Sequence, residues 1–178
     1  MTQPSGLREG IFMRGDLGIT VYDALTHERL KRIQIRNKIT FLAADILVEL
    51  LAQRATDPAT AYDAMFSMRM GSSNATAQRS DTNLGAFVIG KQLADVNKVT
   101  GLPGELQFLA TLESADANGS TMQEAGLFTR GSAGSPTPSD APGTTPGTPR
   151  MFARQIYPAI PKTSSITIEF DWRIAFTA

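Results

Sequence analysis

The chain has 178 residues, of which 42% are hydrophobic, and it balances 17 basic against 17 acidic residues. This length is typical of one domain, and the zero net charge gives no electrostatic reason to expect nucleic acid or an anionic membrane as a partner. The chain has no cysteine and one histidine, which excludes disulfides, thiol catalysis and cysteine-ligated zinc. Its start lacks the apolar core of a signal peptide and no window is long enough to span a bilayer, so we expect synthesis in the cytoplasm.

Two alternating segments follow an N-terminal arm, which we place at residues 1–15. Leu17 to Ala24 and Leu30 to Arg36 both alternate apolar with polar residues. A period of two is typical of half-buried strands, and the short turn Leu25 to Glu28 joins them. The pattern predicts a β-hairpin.

One segment has the period of a helix, from about Phe41 to Arg54. Thr40 or Asn37 is positioned to cap its first turn, and Phe41 and Val48 widen its apolar surface. The remaining apolar residues share one face: Leu42, Ala43, Ile46, Leu47, Leu50 and Leu51. A helix this apolar is expected to pack under a sheet or against another subunit.

The rest of the chain alternates with the period of strands. The predicted strands are Met65–Met70, Glu105–Glu113, Met122–Thr129, Met151–Ile160 and Ser165–Thr177. The Asn-Gly turn at Asp116 to Gly119 predicts that the strands on either side of it pair with each other. In the last strand Trp172 alternates into the predicted core. Ala75 to Thr100 has no clear period, and we interpret it as an extended arm or irregular loop.

These elements define the fold class and the domain organisation. One helix followed by strands without intervening helices excludes a parallel α/β sheet and favours a mainly β fold. We predict an antiparallel β-sandwich with one packed α-helix and long loops, forming a single domain over residues 1–178.

A Gly, Pro, Ser and Thr-rich segment, Gly131 to Pro149, separates two of the strands. It holds five of the ten prolines, and Asp140 is its only charge. Such a segment buries too little apolar surface to offset the entropy of ordering, so we predict a solvated, flexible loop. The flanking segments read as neighbouring strands of one sheet, which favours a loop within the domain over a linker between domains.

Three short motifs suggest chemistry, and each has a simpler interpretation. His27 lies in a turn beside Glu28 without a nucleophile placed next to it, so a solvent-exposed turn residue is favoured over a general base. Arg14-Gly15-Asp16 spells an adhesion tripeptide, which is too short to be specific. Asp116 to Gly119 starts like a calcium loop, but its glycine comes two positions early.

The remaining candidates are weaker still. Asn74 and Asn118 match the glycosylation triplet, which has no meaning without secretion. Gly71-Ser72-Ser73 lacks the lysine of a phosphate loop, and the methionines Met65, Met68 and Met70 are interpreted as core residues. We therefore predict no catalytic, cofactor-binding or metal-ligating residues, and no enzyme.

Several motifs, taken together and in order, carry a resemblance. They are Asn37-Lys38-Ile39-Thr40, Met70-Gly71-Ser72, Ser80-Asp81-Thr82-Asn83-Leu84, Asp116-Ala117-Asn118-Gly119, Gln123-Glu124-Ala125-Gly126-Leu127-Phe128, Met151-Phe152-Ala153-Arg154, Pro158-Ala159-Ile160-Pro161-Lys162 and Trp172-Arg173-Ile174-Ala175-Phe176. The chain from about Asn37 onward resembles one family of tailed-bacteriophage virion proteins, the tail-fibre, baseplate and neck or collar components. It departs from that family at Gly131 to Pro149, where the family has a short turn.

The resemblance implies a non-enzymatic structural subunit of a phage particle, at the tail, baseplate or neck. Such a subunit is expected to form a homo-oligomer, to contact other virion proteins and to hold a fibre or an adjacent ring. It would be assembled in the bacterial cytoplasm and reside in the virion, with neither nucleic acid nor membrane as a partner. A capsid decoration or cement protein and a carbohydrate-binding receptor module remain as alternatives.

Overall fold

The computed structural model describes residues 12–48, 64–102, 104–131, 137–138, 140–143 and 148–177. In these ranges ten strands form two five-stranded sheets, called sheet A and sheet B below, in which neighbouring strands are antiparallel. The strands are β1 (Phe12–Asp23), β2 (Arg29–Arg36), β3 (Lys38–Ile39), β4 (Met65–Gly71), β5 (Phe87–Gln92), β6 (Asp95–Lys98), β7 (Glu105–Leu112), β8 (Thr121–Thr129), β9 (Met151–Pro161) and β10 (Ile166–Thr177). A short helix, α1, occupies residues 42–48. The predicted antiparallel β-sandwich with one helix is confirmed.

The order of strands in the two sheets explains where the core lies. Sheet A has the order β2-β1-β10-β7-β6 and sheet B the order β3-β9-β8-β4-β5. Trp172 of β10 is fully buried between its register partners Leu17 and Phe108, and Met68 and Met70 of sheet B are also fully buried. The predicted orientation of Trp172 and the core role of these methionines are confirmed.

The first hairpin is confirmed, but its first strand is longer than predicted. β1 begins at Phe12, so residues 12–15 belong to a strand and not to an arm. They pair with the last residues of β10, from Phe12 with Thr177 to Gly15 with Ile174. This pairing satisfies backbone groups that an isolated arm would leave to water. Residues 1–11 of the predicted arm lie outside the described residues.

The interpretation of Ala75 to Thr100 as an arm or irregular loop is wrong. The segment contains β5 and β6, which are edge strands of different sheets. β5 pairs with β4 and β6 pairs with β7. Short edge strands with one partner give too few alternating residues for a period to be visible.

The predicted pairing across the Asp116 to Gly119 turn is also wrong. β7 belongs to sheet A and β8 to sheet B, so this turn connects the two layers of the sandwich. The backbone φ values of Ala117 and Gly119 are +50° and +84°, as expected for such a turn. Alternation along a strand shows that one face is buried, but it does not specify which strand lies beside it.

The helix and its cap differ from the prediction in detail. Ala43 and Ile46 are buried, as predicted, whereas Phe41 and Val48 are 61% and 65% exposed. The Thr40 hydroxyl donates to the carbonyl groups of Met151 and Phe152 and does not cap the helix. Asn37, the other predicted cap, lies between β2 and β3. Residues 49–54 of the predicted helix lie outside the described residues.

The segment Gly131 to Pro149 connects β8 and β9, which are neighbours in sheet B, as predicted. Its described part is not fully solvated. Gly131 and Pro149 are buried, and the carbonyl of Asp140 accepts a 2.5 Å hydrogen bond from Arg69 Nη1. The loop therefore contacts the outer face of sheet B, and this is a correction to the predicted solvated excursion. Residues 132–136, 139 and 144–147 lie outside the described residues.

Candidate functional site

His27 lies in the exposed turn between β1 and β2 with a positive φ of 57°. The neighbouring Asp23 carboxylate accepts hydrogen bonds from the backbone N–H groups of Leu25 and Thr26 and from the Thr26 hydroxyl. These bonds, chiefly those from Thr26, lower the pKa of Asp23. The carboxylate that could have oriented His27 is thus used to form the turn, and the exposed-turn interpretation of His27 is supported by its placement.

Arg14, Gly15 and Asp16 form part of strand β1 and not an exposed loop. Arg14 Nε and the Asp16 carboxylate lie 2.8 Å apart. A Cβ placed on Gly15 would overlap the side chain of Asn37, at 1.8 Å from its Oδ1. The tripeptide is held flat in a sheet, which is unlike the turn that an adhesion motif would need for insertion into a receptor.

Asp116 to Gly119, the segment compared with a calcium loop, is occupied by internal contacts. Asp116 Oδ2 accepts from Lys91 Nζ and from the Glu113 N–H, both at 2.7 Å. Burial is the largest single influence and acts to raise the pKa of Asp116, but the bonds from Lys91 and Glu113 together lower it. The carboxylate is therefore ionised and already neutralised by Lys91.

Lys162 holds the other side of the same turn. It is 1% exposed, and its ammonium group donates to the carbonyls of Ser114 and Thr163 and to Asn118 Oδ1. Burial lowers the pKa of Lys162, while Asp116 acts in the opposite direction. The three acceptors match the three N–H groups of an ammonium ion, so Lys162 serves as a cap for the turn. We call this contact set the Lys162 cap.

A second internal cluster surrounds Glu124 of β8, which is fully buried. Its carboxylate accepts five hydrogen bonds of 2.7 to 3.2 Å. Three come from the backbone N–H groups of Ser73, Gly85 and Ala86, and two come from Arg154 Nε and Nη2 of β9. A buried carboxylate is tolerated when its charge is paired and its lone pairs are used, and Glu124 meets both conditions.

Arg154 connects this carboxylate to the loop between β4 and β5. Its Nη1 donates to Asp81 Oδ2 at 2.6 Å and its Nη2 to the Ala75 carbonyl at 3.2 Å. Burial is the largest influence and acts to lower the pKa of Arg154, but Asp81 and Glu124 together raise it. The residues that bond to Glu124 or Arg154 form the Glu124 cluster: Ser73, Ala75, Asp81, Gly85, Ala86, Glu124 and Arg154.

Two glycines are required by the close packing around Glu124. A Cβ on Gly71 would lie 2.4 Å from both Glu124 Oε1 and the Ala86 carbonyl, and one on Gly85 would lie 2.5 Å from Ser73 Oγ. Tyr157, also buried, donates its hydroxyl to the Glu124 carbonyl at 3.2 Å, and burial followed by the Glu124 charge raises the pKa of Tyr157. The cluster is a close-packed structural contact without an open position for a substrate.

Sequence reasoning identified the motifs but missed what they do. Gln123 to Phe128, Met151 to Arg154 and Ser80 to Leu84 were recognised separately, and the structure brings their charged residues together in the Glu124 cluster. Likewise the Asp116 to Gly119 turn meets the lysine of Pro158 to Lys162 in the Lys162 cap. The signal that could have shown this is a Glu and an Arg on the same face of adjacent central strands, where an unpaired charge would be costly.

The remaining candidates are placed as follows. Asn118 Nδ2 donates to the Ser114 carbonyl, so its amide is engaged in the turn, whereas Asn74 is exposed in the β4–β5 loop. Within the described residues no group of three His, Asp or Glu side chains is arranged to hold a metal ion. No helix in the described part of the chain is long and apolar enough to cross a bilayer.

Several clefts of the described residues lie outside these clusters, and two of them have volumes above 500 Å³. The first, about 540 Å³, is lined by four cations, Arg14, Arg36, Lys38 and Arg79, together with Phe12 and other residues of β1 and β3; we call it the cationic cleft. The second, about 550 Å³, is mainly apolar and is lined by residues that include Leu102, Leu106 and Phe176.

No protein-family model, curated protein or solved structure matches the chain.

Proposed function

We propose that this protein is a non-enzymatic structural subunit of a tailed-bacteriophage particle. It is placed in the tail, baseplate or neck, assembles as a homo-oligomer, and holds a fibre or an adjacent ring. The observation that carries the proposal is that four charged residues of these motifs bond to other residues of the chain. Glu124, Arg154, Asp81 and Lys162 are each used to fix a loop on the sandwich.

This use of charge fits a building block better than a catalyst. A catalytic carboxylate needs a free lone pair or a proton within reach of a substrate, whereas Glu124 has no exposed surface and five donors. The loops so fixed cover the outer face of sheet B, where Leu84 packs on Phe128 and Met151. A rigid sandwich with ordered loops is a suitable unit for a particle that must transmit force and keep its symmetry.

The apolar side chains at the surface support self-assembly. Phe41, directly before α1, and Val48 of α1 are exposed, and Leu102 is exposed in the apolar cleft. Single exposed apolar residues are ordinary, whereas contiguous exposed apolar surface, as in this cleft, is typical of interaction sites. The carbohydrate-binding alternative gains no such support, because Trp172, the one tryptophan of the chain, is fully buried.

Light scattering coupled to size-exclusion chromatography tests the oligomer. We expect an assembly larger than a monomer, and we expect Phe41→Glu with Val48→Glu to reduce its size. Leu25→Glu is the matched control, because Leu25 is 90% exposed in the β1–β2 turn and outside both apolar regions. A wild-type monomer, or equal loss in the control, contradicts self-assembly through α1.

Cross-linking in purified particles tests the location. The proposal predicts cross-links to tail, baseplate, neck or fibre proteins. Cross-links confined to the capsid lattice would instead favour the decoration-protein alternative. A protein that is monomeric in solution and absent from particles would contradict both.

A further inference from the structure

A short segment of the chain carries a concentrated positive charge. Residues 29–38, which are β2, Asn37 and the first residue of β3, contain five of the 17 basic residues and none of the 17 acidic ones. The basic residues are Arg29, Lys31, Arg32, Arg36 and Lys38, and all five are exposed. We call them the basic strip. In a chain with no net charge, this clustering marks one surface as a site for acidic groups.

The basic strip lies on an open sheet edge. Within the described residues β2 pairs on one side only, with β1. The Asn37 N–H donates to the Gly15 carbonyl, so in the same register every second residue of β2 bonds to β1. The backbone N–H and C=O groups of Arg32, Gln34 and Arg36 therefore point away from the sheet. They form a template onto which another strand can add.

The strip continues into the cationic cleft, to which it contributes Arg36 and Lys38. Asp16 is the register partner of Arg36 on β1, and its carboxylate pairs with Arg14. Across the described residues, Arg36, Lys38 and Arg79 have no acidic partner within ion-pair distance. Arg79 is held over the ring of Phe41, 5.0 Å from its centroid, so its charge stays at the cleft.

We propose that β2 and the cationic cleft bind an extended acidic segment of a different protein. The segment adds as a strand on β2, where its backbone pairs with Arg32, Gln34 and Arg36, and its carboxylates contact the basic strip and the cleft. The inference concerns the chemistry of the partner and does not rest on the proposed function.

Two other occupants fit the same observations less well. A second copy of this chain, paired through β2, would oppose two basic strips, and like charges on adjacent strands are destabilising. A nucleic acid supplies negative charge but no peptide groups for the free strand edge, and the chain's pI of about 6.6 is far from that of typical nucleic-acid-binding domains. An acidic polypeptide supplies both carboxylates for the basic strip and backbone groups for the free edge of β2.

Fluorescence anisotropy with matched probes tests the proposal on the full chain. The probe is a peptide of about ten residues that alternates Glu and Thr, long enough to cover a strand such as β2. The same peptide with methylated backbone nitrogens keeps the charges and loses the donors. At about 50 mM salt, where surface charges are weakly screened, we expect the methylated peptide to bind at least about tenfold more weakly, because strand addition needs main-chain hydrogen bonds.

Three variants separate charge from backbone. Arg32→Glu with Arg36→Glu should weaken binding of the Glu-Thr peptide at least about tenfold through charge repulsion. Lys98→Glu with Arg130→Glu changes the net charge equally at exposed positions outside the strip, and it should change the affinity less than about twofold. Gln34→Pro removes an outward N–H without changing the charge, so it should also weaken binding of the peptide. The fold should tolerate this substitution, because proline at a free sheet edge costs little stability.

Hydrogen exchange supplies an independent readout. The bound peptide should slow exchange at the amides of Arg32, Gln34 and Arg36. The proposal is overturned if no probe binds, if the methylated peptide binds equally well, or if the control variant loses as much affinity. It is also overturned if oligothymidylate binds more tightly than the peptide, which would indicate a nucleic-acid partner. A peptide that binds only to a variant without residues 1–11, and not to the full chain, would overturn it as well.

Discussion

Replacing Arg154 by methionine should destabilise the protein strongly. The Arg154 side chain is 4% exposed and lies 2.8 Å from Glu124, which has no exposed surface. The substitution removes two of the five donors to Glu124 together with its compensating charge, and it leaves Asp81 with the Gln78 N–H but without its cationic partner. Breaking a buried ion pair by removing one partner costs about 3–5 kcal/mol. In a domain of this size each 1 kcal/mol lowers Tm by about 2–4 °C, so we expect a loss of about 6–20 °C.

The assay is urea unfolding followed by tryptophan fluorescence, since Trp172 is in the core. Arg173→Met is the matched control: Arg173 is 41% exposed and pairs with Asp171 at 3.2 Å, and exposed pairs contribute about 0–1 kcal/mol. If Arg154→Met costs no more than Arg173→Met, the Glu124 cluster does not stabilise the fold.

A double-mutant cycle adds a second criterion for the same pair. Glu124→Gln leaves Arg154 without its main partner, and the double variant removes both charges. The loss in the double variant should be smaller than the sum of the single losses by about 0.5–3 kcal/mol, as for residues in direct contact. Strictly additive losses would mean that Glu124 and Arg154 act independently.

Three further predictions test other parts of the fold. Trp172→Ala should cost about 3–5 kcal/mol by calorimetry, because the fully buried ring leaves a cavity; a loss below about 1 kcal/mol would place this face outside the core. Arg69→Met should be neutral or stabilising in urea unfolding, because among the described residues its buried Nε and Nη2 have no hydrogen-bond partner and burial lowers the pKa of Arg69 to about 10. Stability should fall as the pH drops below about 4, since the lowered pKa of Asp116 favours the fold only while its carboxylate is ionised, and Asp116→Asn should flatten this acid limb.

The parts of the fold that the sequence predicted are those with long, regular alternation. β10 extends over twelve residues, and Trp172, which was predicted to alternate into the core, is buried. β8 and β9 were correctly placed side by side. In β10 one face is buried in the core and repeats the same signal along the strand, so the physical cause and the sequence pattern coincide. The pairing of β8 with β9 was instead predicted from the loop between them, since both faces of these strands are largely buried.

The parts that were missed depend on contacts that leave no local pattern. β5 and β6 have six and four residues, which is too short for a period. The Gly131 to Pro149 loop is attached through the carbonyl of Asp140 to Arg69, 71 positions earlier in the chain. Every residue has a backbone carbonyl, so the amino-acid composition does not show which carbonyl is bonded. The composition therefore predicts a solvated loop, although the buried Arg69 attaches it to the sheet.

The candidate site was missed for a related reason. Glu124 accepts three of its five hydrogen bonds from backbone N–H groups, and the residue types of the β4–β5 loop do not indicate these bonds. The motif residues Glu124 and Arg154 are thirty positions apart, and only the pairing of β8 with β9 shows that they are neighbours. The motifs identified Glu124 and Arg154, but the contact between these two residues becomes visible only from the order of the strands in sheet B.

The distribution of charge over the two sheets limits where partners can bind. The outer face of sheet B is covered by the chain's own loops, which the Glu124 cluster and Arg69 hold in place. On sheet A, Arg173 pairs with Asp171 and Glu105, and Arg14 pairs with Asp16. Among the described residues, Arg36, Lys38 and Arg79 have no acid within ion-pair distance, and the β2 edge lies two strands from β10. Substitutions at that edge can therefore change the partner without disturbing the core, whereas substitutions in the Glu124 cluster change the stability before they change any contact.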